Sequence, residues 1–270
     1  MSQLHAAATL GAGLAPAALS ALHAVAILAA GVVAGAINAV VGSGTLFTFP
    51  VLLAFGYAPV VANVSNTIGL VPGSAAGAIG YRRELTGQRS RTLRLSAFSV
   101  AGGVVGGVLL LVLPASAFKT IVPAFIVIAL ALIVGQPWIS RWLASRREPG
   151  HRREHAGPLA ALAVFATGVY GGYFGAAQGI LLLSILALSL DDDLQRINAL
   201  KVVLAGLVNL VAGIIFAIAA HVAWVPALLI AAGSIVGGIL GAHGGRRLPA
   251  SALRVLVVAV GIFAIVRLLG

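Results

Sequence analysis

The chain has 270 residues, of which 60% are hydrophobic and 9% are charged, and its mean hydropathy is +1.10. Soluble domains carry charge on about a quarter of their residues, so this composition excludes an ordinary soluble protein and indicates a membrane protein. The chain has no cysteine, which excludes disulfides, thiolate metal sites and thiol redox chemistry.

The first part of the chain predicts a short tail and then a series of membrane spans. The amino-terminal twenty residues contain no Lys or Arg, so they lack the positively charged region of a secretory signal and are expected to form an exposed tail. Ten apolar segments cover residues 20–41, 45–56, 60–81, 95–113, 118–136, 159–173, 179–190, 198–220, 224–242 and 251–269. At about 1.5 Å per residue, the fourth and fifth are long enough to cross a hydrocarbon core roughly 30 Å thick.

One connection between the segments is long and hydrophilic. Residues 137–158 carry five arginines and separate two sets of five apolar segments. We therefore predict an amino-terminal repeat (residues 1–136), a cytoplasmic linker loop (137–158) and a carboxy-terminal repeat (159–270). The net charge is +11, but the basic residues lie in loops between spans, where the positive-inside rule accounts for them. We therefore expect no nucleic-acid partner.

The two sets of segments share a sequence pattern. Residues 31–35 recur as residues 168–172, 137 positions later, and Gly42 lies opposite Gly179 at the same offset. Further matches in the same order pair Asn63 and Asn66 with Asn198 and Lys201, residues 101–107 with 232–238, and residues 114–119 with 249–254. Agreement in both order and spacing indicates a duplicated unit.

The arginines predict that the two repeats have opposite orientations. Residues 82–94 hold five arginines, whereas their counterpart at residues 221–223 holds no Lys or Arg. At the next connection the asymmetry reverses, with one Lys in residues 114–119 and three Arg in residues 246–254. Because arginine-rich loops face the cytoplasm, the repeats are expected to be inverted, as is common among secondary transporters.

This arrangement requires the first element of each repeat to enter and leave the membrane on the same side. Those elements are residues 20–56 and 159–190, and the arms of the second are each shorter than the ~20 residues of a full span. We therefore expect an all-α polytopic integral membrane protein with two inverted-topology repeats. Each repeat has a broken or re-entrant helical hairpin followed by three transmembrane helices, and both chain termini lie outside.

The hairpin tips, residues 38–45 and 174–179, are predicted to form an anion site. They are rich in glycine and also carry Asn38, Ser43 and Gln178. Backbone can leave the helical path at membrane depth only where protein or water covers it, and helices that start at the tips point their positive ends inward. Two such helix starts can hold an anion without a metal.

Close helix packing is the alternative reading of glycine in membrane segments. We expect packing, and no ligand, for the glycines of residues 102–107 and 233–238. In the spans behind the tips, Asn66 and Lys201 occupy matched positions, and Lys201 either neutralises a bound anion or extends to the cytoplasmic interface. The consecutive aspartates 191–193 point in different directions on a helix, so a solvated helix cap is expected there.

Six short motifs carry a family resemblance. They are the tip at residues 38–45, Phe49-Pro50, residues 57–59 and 62–66, and, in the second half, residues 168–172 and 199–203. Together they resemble the sulfite exporter TauE/SafE family over nearly the whole chain. The resemblance implies a bacterial inner-membrane transporter of small sulfur-containing oxyanions, sulfite or short organosulfonates, that often works outward.

The residues and the resemblance together predict a secondary transporter, an exporter, with alternating access around the two tips. The expected substrate-binding residues are Asn38, Gly42, Ser43, Gly44, Asn66, Gln178, Gly179 and Lys201. An anion channel and an uptake transporter of another small anion are alternatives, as is an integral-membrane enzyme, for which only Lys201 and histidines near span ends offer a reactive group.

The expected partners are the small anion and the lipid bilayer. No catalytic triad, metal-ligand spacing or nucleotide fingerprint occurs in the context that each requires, so we expect no metal and no cofactor. The sequence leaves the oligomeric state open, a homodimer included.

Overall fold

The computed structural model describes residues 20–145, 156–244 and 250–269, and within them the chain forms ten helices and no strand. The helices are α1 (Ala21–Val40), α2 (Thr45–Ala54), α3 (Pro59–Gly80), α4 (Arg89–Val112), α5 (Ala115–Ser145), α6 (Pro158–Tyr173), α7 (Gln178–Ser189), α8 (Leu194–Ala219), α9 (Trp224–Gly244) and α10 (Ala250–Leu269). By length and hydropathy, α1, α4, α8, α9 and residues 115–139 of α5 can cross a membrane. The prediction of an all-α polytopic membrane protein is confirmed.

The expected linker loop begins later than the sequence predicted. Helix α5 continues through Pro137 to Ser145, so the first nine residues of segment 137–158 are helical, and residues 146–155 lie outside the described part. The side chains of Trp138 and Trp142 are exposed one turn apart, as is typical of aromatic residues at a membrane interface. The Nε of Arg141 donates to the carbonyl oxygen of Pro137 at 3.3 Å. The division into two repeats stays a prediction.

The two hairpins each return to the side from which they start. The ring of His23, in the first turn of α1, lies 4.4 Å from that of Phe55, which follows α2. In the second hairpin, Ala160 near the start of α6 and Leu190 after α7 belong to one buried cluster. Helices α2 and α7 have 10 and 12 residues, which is about 15–18 Å and so about half of the hydrocarbon core.

The two halves of the chain pack closely against each other at glycine residues. Helix α1 packs along α9, and in the same way α6 packs along α4. A Cβ on Gly31 would lie 2.8 Å from the carbonyl oxygen of Ile230, and one on Gly168 would lie 2.7 Å from that of Ser99. A Cβ on Gly106 would collide with the carbonyl oxygen of Val169. Close packing, predicted for the glycines of residues 102–107 and 233–238, is confirmed at this contact.

The helix contacts are repeated between the halves. The pairs α1–α9, α3–α9 and α2–α10 have the counterparts α6–α4, α8–α4 and α7–α5. Two further pairs, α3–α8 and α5–α10, join helices at equivalent positions of the two halves. An internal two-fold relation between the halves would produce such a contact pattern.

Candidate functional site

The tips of the two hairpins meet at the centre of the molecule. The N–H of Gly179 donates to the carbonyl oxygen of Gly42 at 2.9 Å. A Cβ on either glycine would collide with the Cα of the other, so no larger residue can occupy these positions without separating the tips. The structure thus brings two predicted site residues, from opposite halves, into direct contact.

The equivalence of Gly42 with Gly179, predicted from the shared offset, is wrong at the tip. Gly42 turns the first tip with φ +84°, and the second tip turns at Gly175 with φ +75° and again at Ala177 with φ +58°. Helix α1 runs about one turn further beyond Gly35 than α6 runs beyond the matching Gly172. The residue equivalent to Gly42 is therefore Gly175, and the insertion of one helical turn in α1 shifts the register of the repeat.

Two polar side chains at the tips are buried and unpaired. Ser43 is 1% exposed and Gln178 is 3% exposed. Among the described residues, neither the Ser43 hydroxyl nor the Gln178 Nε2 has a hydrogen-bond partner. An unpaired buried polar group costs roughly 1–3 kcal/mol, so two of them at one place point to a ligand.

The predicted ligands Asn38 and Asn66 hold helices together with their side chains. The Nδ2 of Asn66 donates to the Thr45 hydroxyl at 3.2 Å, and its Oδ1 accepts from the Thr48 hydroxyl. The Nδ2 of Asn38 donates to the Ser74 hydroxyl at 3.1 Å. Asn66 therefore fixes the start of α2 beside Gly44, and Asn38 ties α1 to α3.

Two further asparagines cross between the halves. The Nδ2 of Asn63 donates to the carbonyl oxygen of Tyr173 at 3.0 Å, and the Nδ2 of Asn198 donates to that of Ala39 at 3.2 Å. Asn63, in the first half, thus bonds to the last turn of α6, and Asn198, in the second half, bonds to the last turn of α1. Their Oδ1 atoms have no partner within the described chain. The sequence repeat pairs Asn63 with Asn198, and this pairing is the signal that could have placed them in the site.

Lys201 is the one charged side chain among the buried residues that the structure describes, with 0% exposure. Its Nζ donates to the carbonyl oxygens of Asn38 at 3.2 Å and of Ala39 at 3.3 Å. These carbonyls end α1, where the helix dipole is negative and stabilises a cation. The alternative in which Lys201 extends to the interface is wrong. An ammonium has three N–H donors, so one stays available to a ligand.

An aromatic cluster covers the site next to the second tip. The ring of Phe174 lies 5.2 Å from that of Phe49 and 6.0 Å from that of Phe118. Phe118 also lies 5.9 Å from Tyr173. Edge-to-face packing of such rings closes this side of the tips to water.

The acidic side chains of the described residues lie in the connections between helices. Asp193 caps α8 by accepting from the N–H of Gln195 at 2.8 Å, which confirms the predicted helix cap. Asp192 pairs with Arg91 and, at 2.8 Å, with Arg196. Burial alone raises the pKa of Asp192, but hydrogen bonds from Arg91, the Asp193 N–H and Arg196 bring that pKa below its ordinary value. The described residues contain no cluster of His or acids that could hold a metal.

The fold and the site together define a class of protein. Multiple membrane-spanning helices surround a polar centre that two half-length hairpins build, and this is the construction of a multi-pass membrane transporter. The family model for the sulfite exporter TauE/SafE matches residues 27–268, so the chain belongs to that family. The protein is a membrane transporter of the TauE/SafE family.

Two relatives are named as transporters. The chain is 26% identical to the probable membrane transporter protein YfcA of Escherichia coli K12 over 79% of this chain and 76% of that protein. It is 28% identical to the probable membrane transporter protein ORF9 of a Sinorhizobium species over 86% of each. No solved structure matches the chain.

Proposed function

We propose that the protein exports a small sulfur-containing anion, sulfite or a short organosulfonate, by alternating access around the meeting point of the two hairpin tips. The observation that carries this proposal is the presence of a fully buried Lys201 together with unpaired polar groups at both tips. Among the described residues, no Asp or Glu is buried with them. A centre with positive charge and spare donors, and without a carboxylate, favours an anion.

The donors match an oxyanion. The sulfite dianion and the sulfonate group offer only acceptor oxygens, and the centre offers the Ser43 hydroxyl, the Gln178 amide and the third N–H of Lys201. Helices α2 and α7 begin at the tips, so their positive dipole ends add to this field. Charge-assisted hydrogen bonds of this kind are about twice as strong as neutral ones.

The orientation follows from the arginines. The connection between α3 and α4 and the one between α7 and α8 lie side by side, because Arg91 pairs with Asp192 and Arg196 donates to the carbonyl oxygen of Thr86 at 3.1 Å. We assign this face to the cytoplasm on the positive-inside rule. The two repeats are then inverted, and the connection at residues 220–223 faces outside.

The membrane potential can drive export without a coupling ion. One charge that crosses 100 mV gains about 2.3 kcal/mol, so a divalent anion gains roughly 4.6 kcal/mol when it leaves a negative interior. That energy supports an outward gradient on the order of a thousandfold. A coupling carboxylate is therefore not required.

The test is flux of radiolabelled sulfite in proteoliposomes with an imposed potential. We expect saturable flux that follows the potential, competes with taurine or sulfoacetate, and falls at least tenfold in Lys201→Met. Lys119→Met, which removes a cation that is not buried, is the matched control and keeps the flux. Flux that rises linearly with sulfite concentration would favour a channel. If the folded protein gave no flux with any sulfur oxyanion, the substrate assignment would be contradicted.

A further inference from the structure

The first hairpin carries an apolar groove on its outer side. The groove has a volume of about 520 Å³ and lies between α1, α2 and α10. Its lining is apolar throughout and includes Ala30, Val33, Phe47, Pro50, Phe55 and Val260. A groove without polar side chains cannot bind an anion, so this groove is separate from the site at the tips.

At the equivalent place in the second half, two aromatic side chains stand where the first half has valines. By the repeat, Val33 corresponds to Tyr170 and Val260 to Phe125. The rings of Phe125 and Tyr170 lie 5.0 Å apart and pack edge to face. Two valines in the first half therefore replace a packed aromatic pair in the second, and the lost side-chain volume is the physical reason for the groove.

The position of the groove relates it to one leaflet of the bilayer. It starts at Phe55, beside His23, where the first hairpin returns to the surface. It then runs along α2 to Phe47, about 12 Å at the rise of an α-helix. Half of a hydrocarbon core roughly 30 Å thick is about 15 Å, so the groove extends through most of one leaflet and no further.

We propose that one acyl chain of a bilayer phospholipid occupies this groove. The surrounding solvent at this depth is hydrocarbon, and an empty groove would forfeit the dispersion contacts of its walls. Ala30 and Pro50 form a buried floor. The acyl chain packs between α2 and α10 and supports the first hairpin, as Phe125 and Tyr170 support the second.

The experiment is photocrosslinking in proteoliposomes with a phosphatidylcholine that carries a diazirine on its acyl chain, followed by mass-spectrometric mapping. We expect label on the floor residues Ala30 and Pro50 as well as on Ile218, which is 82% exposed and reports ordinary surrounding lipid. In the double variant Val33→Tyr with Val260→Phe, which copies the aromatic pair of the second half, floor labelling falls at least fivefold and Ile218 labelling is unchanged.

A matched control is Val25→Tyr, which adds the same ring to an exposed position of α1 that does not line the groove; its floor labelling equals that of the parent protein. If the double variant does not fold, Val260→Phe alone serves the same comparison. Floor labelling that is absent from the parent protein, or that survives filling of the groove, would overturn the proposal.

Discussion

At the residue scale, the site depends on atoms that the fold leaves unpaired. Lys201 gives two N–H groups to the end of α1, and this helix end compensates part of the cost of burying a cation. The hydroxyl of Ser43 and the amide of Gln178 lack such compensation within the described chain. An arriving oxyanion would satisfy them, so binding energy is available at the point where the hairpins meet.

Replacement of Gly42 by Ala tests the contact between the tips. Gly42 and Gly56 both have φ +84°, but a Cβ on Gly42 meets Gly179, whereas one on Gly56 meets nothing within 4 Å. A left-handed conformation costs a non-glycine residue about 1–2 kcal/mol, and both variants carry this cost. We expect Gly56→Ala to lower the unfolding temperature by a few degrees and keep flux, and Gly42→Ala to lose flux at least tenfold.

The measurement is thermal unfolding in detergent beside proteoliposome flux for the two variants. Equal flux in both would show that the tips tolerate separation and would remove the tip contact from the mechanism.

Much of the candidate site could be predicted from sequence, because small polar residues and a lone Lys are conspicuous in apolar segments. The structure brings Gly42, Ser43, Gln178 and Gly179 to the two tips and the Nζ of Lys201 to the end of α1. The direction of a side chain depends on how its helix is rotated against its neighbours, which periodicity does not reveal. For this reason the supporting role of Asn66 emerged only from the packed structure.

At the element scale, the packing of α4 on α6 sets the distance between the halves. A Cβ on Gly106 meets the backbone of Val169, whereas the nearest atom to a Cβ on the adjacent Gly107 is 3.4 Å away, an ordinary contact. We expect Gly106→Ala to lower the unfolding temperature in detergent by several degrees more than Gly107→Ala. Equal unfolding temperatures would mean that α4 and α6 separate without cost.

The Arg91–Asp192–Arg196 group predicts a pH dependence of stability. Because the pKa of Asp192 is lowered in the folded state, its contribution is present above the ordinary aspartate pKa of about 3.9 and is lost as the pH falls through the folded value. Asp192→Asn should therefore unfold at a lower temperature than the parent protein at pH 7, and the difference should shrink below about pH 4.

The control for this experiment is Asp191→Asn, which changes an exposed neighbour and leaves the unfolding temperature unchanged. A difference for Asp192→Asn that stays constant down to pH 3 would contradict the ionic origin of the stabilisation.

Helix positions were predictable to within a few residues, because hydropathy and Pro or Gly breaks mark the ends of spans. Helices α4 and α5 are the exceptions, and α4 begins at Arg89, six residues before the apolar segment 95–113. Pro137 follows Gly135-Gln136, a pattern that predicts a break, yet α5 continues to Ser145. A proline removes one hydrogen bond and tends to kink a helix, but it does not always end one.

At the scale of the whole molecule, the proposed inverted arrangement predicts which loops are accessible from each side of the membrane. The chain has no native cysteine, so the labelling of a single Cys variant reports the accessibility of that one position. Thr86→Cys and His221→Cys place a thiol at exposed positions of opposite connections. In right-side-out vesicles, a membrane-impermeant maleimide should label His221→Cys at once and Thr86→Cys only after permeabilisation. Labelling of both from outside would contradict the inverted topology.

The central claim is that the transported anion binds where the two hairpin tips meet, and equilibrium binding of radiolabelled sulfite to the purified protein tests it most directly. The comparison is Ser43→Ala with Ser99→Ala. Both serines are buried, but the Ser99 hydroxyl donates to the carbonyl oxygen of Leu204 at 3.1 Å, whereas the Ser43 hydroxyl is unpaired. We predict that Ser43→Ala weakens binding about fivefold or more and that Ser99→Ala binds as the parent does. Identical binding by the parent and both variants would contradict the account.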